Sequence, residues 1–278
     1  MTMGRDFMRK ILINFADENY RKSQALCSWT GKHIAGFDEV VEYYLEDIDE
    51  AFKTAHADIF ANKRGCGLWL WKPYLVLKTL KQCNEGDIVC YCDSGAFFFR
   101  TAKPIFRILE KTDIWLTVLP LIEKQFTKAE TFRIMDAAEE RFAETPQISG
   151  SFMAFKKTER SVAFVQEWLK YCCDIRALAP PADKSGEIEG FYAHREDQSI
   201  LSLLAKKWEI ETYSDPSQYG RLPEKYWREG CTMVYCKRTD YKPLIVHHRT
   251  GRPQIKKILN QWLCAVLPRK MGLRFIKQ

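Results

Sequence analysis

The chain predicts an α/β fold, a sheet layered with helices, on three observations. Short apolar runs of strand length alternate with longer segments of helical period. One of those runs, Ile88 to Cys92, is apolar throughout, as a buried strand is, and it ends on Asp93-Ser94-Gly95. The length of 278 residues, 46% of them hydrophobic and 13% aromatic, is enough to bury a full core as one large domain or two small ones.

In chain order, Ile11 to Phe15 reads as the first strand and leads into a helix around Asn19 to Ser28. Val40 to Tyr44 reads as a second strand and Leu45 to Ala55 as a helix. Pro73 suits a helix N-terminus, where its missing N–H would have had no partner, so Lys72 to Gln82 is predicted helical and delivers the chain to the Ile88 to Cys92 strand. Ile114 to Leu119 and Phe152 to Phe155 are further strands, and Arg160 to Cys173 a helix. Residues 179 to 190 carry breakers and no period, which predicts a loop. Glu196 to Lys207 is predicted helical and Leu244 to His247 a late strand.

Composition removes several classes of function. The ten cysteines show no spacing of a metal or disulfide framework, which fits free thiols in a reducing cytoplasm. No run approaches the eighteen or so apolar residues that span a bilayer, roughly the minimum for a transmembrane helix. Arg9-Lys10 before Ile11 to Phe15 has too short an apolar run for a secretory signal. Methionines at positions 1, 3 and 8 leave the initiation site open, and residues before Met8 are expected to be an unstructured extension.

Charge is concentrated at one end. The net +7 comes from nine Lys or Arg after Asp240, a stretch without any carboxylate, so the preceding residues carry a slight net negative charge. Within that tail Ile255, Ile258, Leu259, Trp262, Leu263 and Val266 recur at helical spacing. Two outcomes follow: an amphipathic helix on an anionic membrane surface, or a helix packed on the domain with solvated lysines. Basicity confined to one end, without a nucleic-acid-binding signature, argues against a nucleic-acid partner.

Four constellations carry candidate chemistry. In Phe15-Ala-Asp-Glu-Asn-Tyr20 a strand ends on Asp17, a ligand or a helix cap. Asp93, at the carboxyl end of an apolar strand, is costly to bury unless paired or bound to a cation, and open sheets bind ligands at that edge. His194-Arg-Glu-Asp-Gln-Ser199 is either a polar site or a capped helix start. His247-His-Arg-Thr-Gly-Arg252 offers imidazoles as ligands and guanidiniums suited to a diphosphate.

Together these blocks resemble the ordered motifs of GT-A fold glycosyltransferases, most nearly the retaining family 8 type. Arg64-Gly-Cys-Gly-Leu-Trp-Leu-Trp-Lys-Pro-Tyr74, Glu123-Lys-Gln-Phe-Thr-Lys128 and His194-Arg-Glu-Asp-Gln-Ser-Ile-Leu-Ser-Leu-Leu204 resemble bacterial glycosyltransferases of surface-polysaccharide clusters, such as those for capsule or lipopolysaccharide. The resemblance spans Lys10 to Arg252 and implies a Rossmann-like nucleotide-diphospho-sugar transferase fold over residues 1–252, with a mostly parallel central sheet flanked by helices. Residues 253–278 follow as the basic amphipathic tail.

The resemblance also implies roles. Asp17 sits where such enzymes contact base or ribose, Asp93 where an Asp-x-Asp motif binds Mn²⁺ or Mg²⁺, and His248 where a late histidine completes the metal site. Phe15, Arg64, Trp71, Lys72, Ser94, Gly251 and Arg252 join the donor site, and Trp69, Trp71 and Tyr74 offer either apolar walls for base or sugar or, for one of the tryptophans, a core knot around Pro73. Gln147, Ser149 and His194 face the acceptor, and Asp197 and Gln198 lie near the anomeric carbon. Two departures stand out: the second Asp of Asp-x-Asp is Gly95, and the family lysine three residues after Gly251 is Gln254.

The expected activity is transfer of one sugar from a nucleotide donor, a UDP-sugar by resemblance, to a surface-glycan or glycolipid acceptor at the cytoplasmic face of the membrane. If configuration is inverted, Asp197 or Glu196 is the candidate base; retention requires no dedicated base. The missing second Asp keeps a non-catalytic sugar-binding relative of the fold as the alternative. A nucleotidyltransferase would need a Gly-rich loop near the first strand, and Phe15 to Tyr20 contains no glycine.

Overall fold

In the computed structural model, which describes residues 8–236 and 239–272, seven strands form one mixed sheet. Its strands are β1 (Lys10–Phe15), β2 (Glu39–Tyr43), β3 (Ile88–Cys92), β5 (Ile114–Ile122), β6 (Pro146–Ile148), β7 (Phe152–Lys156) and β8 (Thr212–Ser214). The order is β2-β1-β3-β7-β5-β6, with β8 also pairing β5. β2, β1 and β3 are parallel, β8 is parallel to β5, and β7 runs antiparallel between β3 and β5. With β6 also antiparallel to β5, most strands point one way and only β6 and β7 run against them. The expected extension before Met8, and Arg274 and Lys277 of the tail, lie outside the described residues.

Alternation along the strands explains their apolar character. Ile11, Ile13, Val89 and Tyr91 face one core with the helices Trp71–Gln82, Glu159–Cys172 and Glu196–Lys207. Leu12, Ile88, Cys90 and Cys92 face a second core with the helices Arg21–Thr30 and Lys103–Leu109. A sheet covered on both faces needs apolar side chains at every position, not at alternate ones.

The predicted elements form with small shifts of boundary, and 179–195 contains neither helix nor strand. One expectation is corrected: Leu45 to Ala55 is not one helix. A 3-10 turn at Leu45–Asp47 gives way to extended backbone at Ile48, and a new helix begins at Glu50. The cause is local, because Asp47 accepts a hydrogen bond from the Tyr44 backbone N–H at 2.8 Å and closes the turn on itself.

A second, two-stranded sheet positions the site. β4 (Ala96–Phe98) follows directly on Asp93-Ser94-Gly95, and β9 (Ile245–His247) pairs antiparallel with it, Ala96 opposite His247. The backbone N–H groups of His248 and Arg249 both donate to the Gly95 carbonyl, at 2.8 and 2.9 Å. The end of β9 is thereby fixed beside the end of β3.

No helix among the described residues is long and apolar enough to cross a membrane. The tail forms a helix over Ile255–Val266 that buries Cys264 and Ala265. Gln261 accepts from Gln218 at 3.2 Å, and Arg221 donates to the Leu267 carbonyl. The helix therefore docks on the domain by one face, while Ile255, Leu259 and Trp262 stay 85%, 49% and 36% exposed.

Candidate functional site

A cavity of about 600 Å³ opens at the carboxyl ends of β1 and β3. Residues from distant stretches line it, within Phe15 to Tyr20, Gly65 to Lys72, Tyr91 to Gly95, Ser149 to Ser151 and Arg195 to Gln198, together with Lys63, Leu119, Tyr226, His247 and Arg249. All four constellations singled out in the sequence thus contribute side chains to one space.

Asp93 is the carboxylate at the end of β3. Its side chain is 43% exposed, its Oδ1 accepts from the Tyr91 hydroxyl at 2.7 Å, and its backbone N–H donates to the Ser151 carbonyl at 2.9 Å. Ser94 is spent on structure, donating its hydroxyl to the Phe15 carbonyl at 2.6 Å and so tying the ends of β1 and β3 together. Gly95 has a steric reason: a Cβ there would lie 3.1 Å from the Arg249 Cα. A side chain in this place would crowd the backbone that brings Arg249 to the cavity.

Lys72 is buried behind Asp93. Its ammonium donates to the Gly150 carbonyl at 3.0 Å and lies 3.1 Å from Asp197 Oδ2 and 3.8 Å from Asp93 Oδ1. Burial lowers the Lys72 proton affinity, but Asp197 and Asp93 more than offset it, so the side chain stays a cation. Burial pushes the Asp197 carboxyl up to about 7 against the opposing pull of Lys72. Asp197 Oδ2 faces Lys72 without a geometrically good hydrogen bond to any described group.

Gln198 is held at both ends of its amide. Its Oε1 accepts from the Gly150 N–H at 3.1 Å, and its Nε2 donates to Gln147 Oε1 at 2.9 Å. Gln147 in turn donates to Glu123 Oε1 at 3.2 Å, and Glu123 is fully buried against Lys206 at 2.6 Å. Gln147 thus lies behind Gln198, off the cavity wall, whereas Ser149 lines the cavity with its hydroxyl 2.8 Å from that of Ser151.

One wall is aromatic. Phe15 stacks on Trp71 with ring centroids 3.9 Å apart, and Trp71 Nε1 donates to the Gly65 carbonyl at 2.8 Å. Asp17 borders it, its Oδ1 accepting from the Tyr20 N–H at 3.1 Å. Asp17 therefore both closes the turn before the Arg21–Thr30 helix and faces the cavity.

Backbone strain collects around this space. Of the described non-glycine residues with positive φ, Cys66, Trp69, Glu196 and Arg249 line the cavity. Left-handed backbone costs an L-residue roughly 1–2 kcal/mol, and such cost clusters where geometry serves a site.

Several expected site residues lie elsewhere. His194 is in the core: its Nδ1 accepts from the Lys128 N–H at 3.3 Å, its Nε2 contacts the Ala177 carbonyl at 3.1 Å, and burial lowers its pKa to about 3. Both nitrogens are engaged, which corrects the expected acceptor contact. Arg64 is off the cavity wall and binds Glu196 Oε1 at 2.6 Å. Tyr74 stacks on Phe52 and donates to Asp49. Gly251 packs on Asn19, whose carbonyl oxygen would be 2.3 Å from an added Cβ, and Arg252 is exposed off the wall.

The expected metal pair offers two protein ligands at most, Asp93 on the cavity wall and His248 behind it with its buried Nε2 lacking a hydrogen-bond partner among the described residues. His248 is buried off the cavity wall with its Nδ1 2.7 Å from the Thr250 hydroxyl, while the neighbouring His247 lines the cavity. Among the described residues no group of three His, Cys, Asp or Glu side chains is placed to hold a metal ion. With the Lys72 ammonium beside Asp93 as well, the residues present do not by themselves fit Mn²⁺ or Mg²⁺, and no step below is routed through one.

The sequence reading assigned no role to Arg195, Lys63 or Tyr226, and it offered Arg249 for a diphosphate only as one of two guanidiniums in its motif; all four line the wall. Arg195 and Arg249 stood inside quoted motifs, and the signal that marks them is their place next to a helix start and a strand end.

No protein-family model matches the chain, and neither does any curated protein. Among solved structures, the apo form of mouse xyloside xylosyltransferase 1 is similar with a TM-score of 0.47 at 9% identity, over 89% of this chain and 99% of that one.

Proposed function

We propose that the protein is a glycosyltransferase of GT-A type that moves one sugar from a nucleotide donor, a UDP-sugar in the first instance, to a saccharide or glycolipid acceptor of a surface glycan. The observation that carries this reading is the convergence of Asp17, Asp93 and Asp197-Gln198, from distant stretches of chain, on one cavity at the carboxyl edge of the sheet. Phe15 and Trp71 supply a flat apolar wall for base or sugar, and Asp17 an acceptor for base or ribose hydrogen bonds.

Charge placement suits the chemistry. Transfer develops positive charge at the anomeric carbon and negative charge on the leaving diphosphate. Asp93 and Asp197 serve the first, held in register by Lys72 between them. Of the two candidate bases for an inverting reaction, Glu196 is tied to Arg64, which leaves Asp197, raised to about 7 and so poised to take a proton near neutrality.

The exposed Ile255, Leu259 and Trp262, flanked by Lys256 and Lys257, support the part of the proposal that sets the enzyme against an anionic membrane surface at its cytoplasmic face. The runner-up, a non-catalytic sugar-binding relative, is favoured by the lack of a three-ligand metal set among the described residues.

The test is a thermal-shift panel of nucleoside diphosphates and nucleotide sugars, with and without Mn²⁺, followed by a turnover assay with the stabilising donor. One nucleotide is expected to raise Tm, and Asp93→Asn to fold normally while losing about a hundredfold or more in turnover. No shift with any nucleotide sinks the proposal; a shift without transfer or donor hydrolysis selects the binding relative.

A further inference from the structure

We infer that the guanidinium groups of Arg195 and Arg249 form an anion site in the cavity that takes a diphosphate directly, in place of a divalent cation. That this diphosphate belongs to a sugar donor rests on the glycosyl-transfer reading; the anion site itself does not.

The two side chains share an unusual condition. Arg195 lies over the Phe126 ring with its Cζ 4.5 Å from the centroid, and Arg249 over the Tyr219 ring at 4.4 Å. A guanidinium stacked on a ring keeps its in-plane N–H fork free, which is the edge that binds phosphate oxygens in pairs. Neither makes a salt bridge to a described carboxylate, although fourteen or more other basic groups of the chain are paired.

Both line one cavity wall. Burial lowers the proton affinity of Arg195, Tyr226 restores part of it and Arg249 lowers it again, while Arg249 is held charged against its own burial by Tyr219, Tyr226, Asp93 and Asp215. An anion between two cations on one wall attracts both and screens each from the other. The backbone holds Arg249 there: it sits at φ 53 and is bonded to the Gly95 carbonyl, and Gly95 lacks the Cβ that would crowd it.

The other expected phosphate cations are engaged or absent from the wall. Lys72 is held by Gly150, Asp197 and Asp93, Arg64 by Glu196, and Arg252 lies off the cavity. Lys63 remains on the wall as a third positive group. Gly95, which stands where the resemblance places the second Asp of Asp-x-Asp, thus leaves room for the backbone that carries Arg249.

The test uses the full chain and inorganic pyrophosphate, titrated calorimetrically in the presence of EDTA. Pyrophosphate is expected to bind, more weakly as salt rises, and Arg195→Gln and Arg249→Gln each to weaken it by about tenfold or more. Arg160→Gln, an exposed arginine on a helix away from the cavity, is the control and should bind as the wild type does. In wild-type protein, pyrophosphate should protect Arg195 and Arg249 from phenylglyoxal, mapped by mass spectrometry, which keeps the test open if a variant fails to fold.

Absence of binding in EDTA with binding restored by Mn²⁺, or binding indifferent to both substitutions, overturns the inference and leaves the glycosyltransferase reading standing. Arginine-dependent pyrophosphate binding without affinity for any nucleotide sugar upholds the anion site and sinks that reading.

Discussion

Lys72 and Asp197 form a buried ion pair, Nζ to Oδ2 3.1 Å, that joins the start of the Trp71–Gln82 helix to the start of the Glu196–Lys207 helix. Breaking a buried pair from one side leaves an uncompensated charge, so Lys72→Met should cost about 3–5 kcal/mol in urea denaturation. Without Lys72 the Asp197 carboxyl escapes by taking a proton, so the loss should be smaller below pH 7 than above it. The double variant Lys72→Met/Asp197→Leu should recover much of the stability. A single variant as stable as the wild type at every pH would show the pair to be incidental.

Gly251 separates a packing role from a ligand role. Its Cβ would meet the Asn19 carbonyl oxygen at 2.3 Å, and the Ser23 hydroxyl already bonds the carbonyls of Thr250 and Gly251 at 2.6 and 2.9 Å. Gly251→Ala should destabilise by about 1–3 kcal/mol, as overpacking does, with nucleotide affinity of the folded fraction unchanged. A loss of nucleotide affinity at full stability would return Gly251 to the donor site.

His194 makes stability depend on acid. Its folded pKa of about 3 lies below the ordinary 6.5, so between those values the unfolded chain holds a proton that the native state does not. Its contribution to stability therefore falls as pH drops through this window, by up to about 1.4 kcal/mol per pH unit. His194→Gln, though less stable near neutrality, should lose less on acidification. Parallel stability curves for the two proteins would contradict the assignment.

The tail helix presents Ile255, Leu259 and Trp262 on one stripe, since they stand four and three residues apart. Replacing all three with serine should reduce sedimentation with anionic vesicles and leave turnover on a soluble acceptor near the wild-type value. Unchanged vesicle binding would assign the stripe to another partner or to none.

The strands and most helices were legible because burial on both faces writes itself into composition: Ile88 to Cys92 has no polar residue to place toward water. The site was legible where chemistry and position coincide, as at Asp93 after a strand or Asp197 at a helix start. It was not legible where a role depends on geometry between distant segments. Nothing in the sequence of His247-His248-Arg249 says that β9 turns His247 and Arg249 to the cavity and His248 away from it. Likewise the Gly65 to Trp69 turn, with Cys66, Leu68 and Trp69 left-handed, is invisible to propensity because only tertiary packing sustains it.

The pairing of β9 with β4 sets the order in which this protein acquires its function. The main sheet and both of its cores draw chiefly on residues before Ile210, so a chain emerging from the ribosome can bury most of its apolar surface early. Arg249 reaches the cavity only when Ile245–His247 zips onto Ala96–Phe98, and every strand of the main sheet precedes β9 in the chain. A growing chain can thus bury its main cores before it is competent, and its charged pocket stays incomplete until β9 has been made.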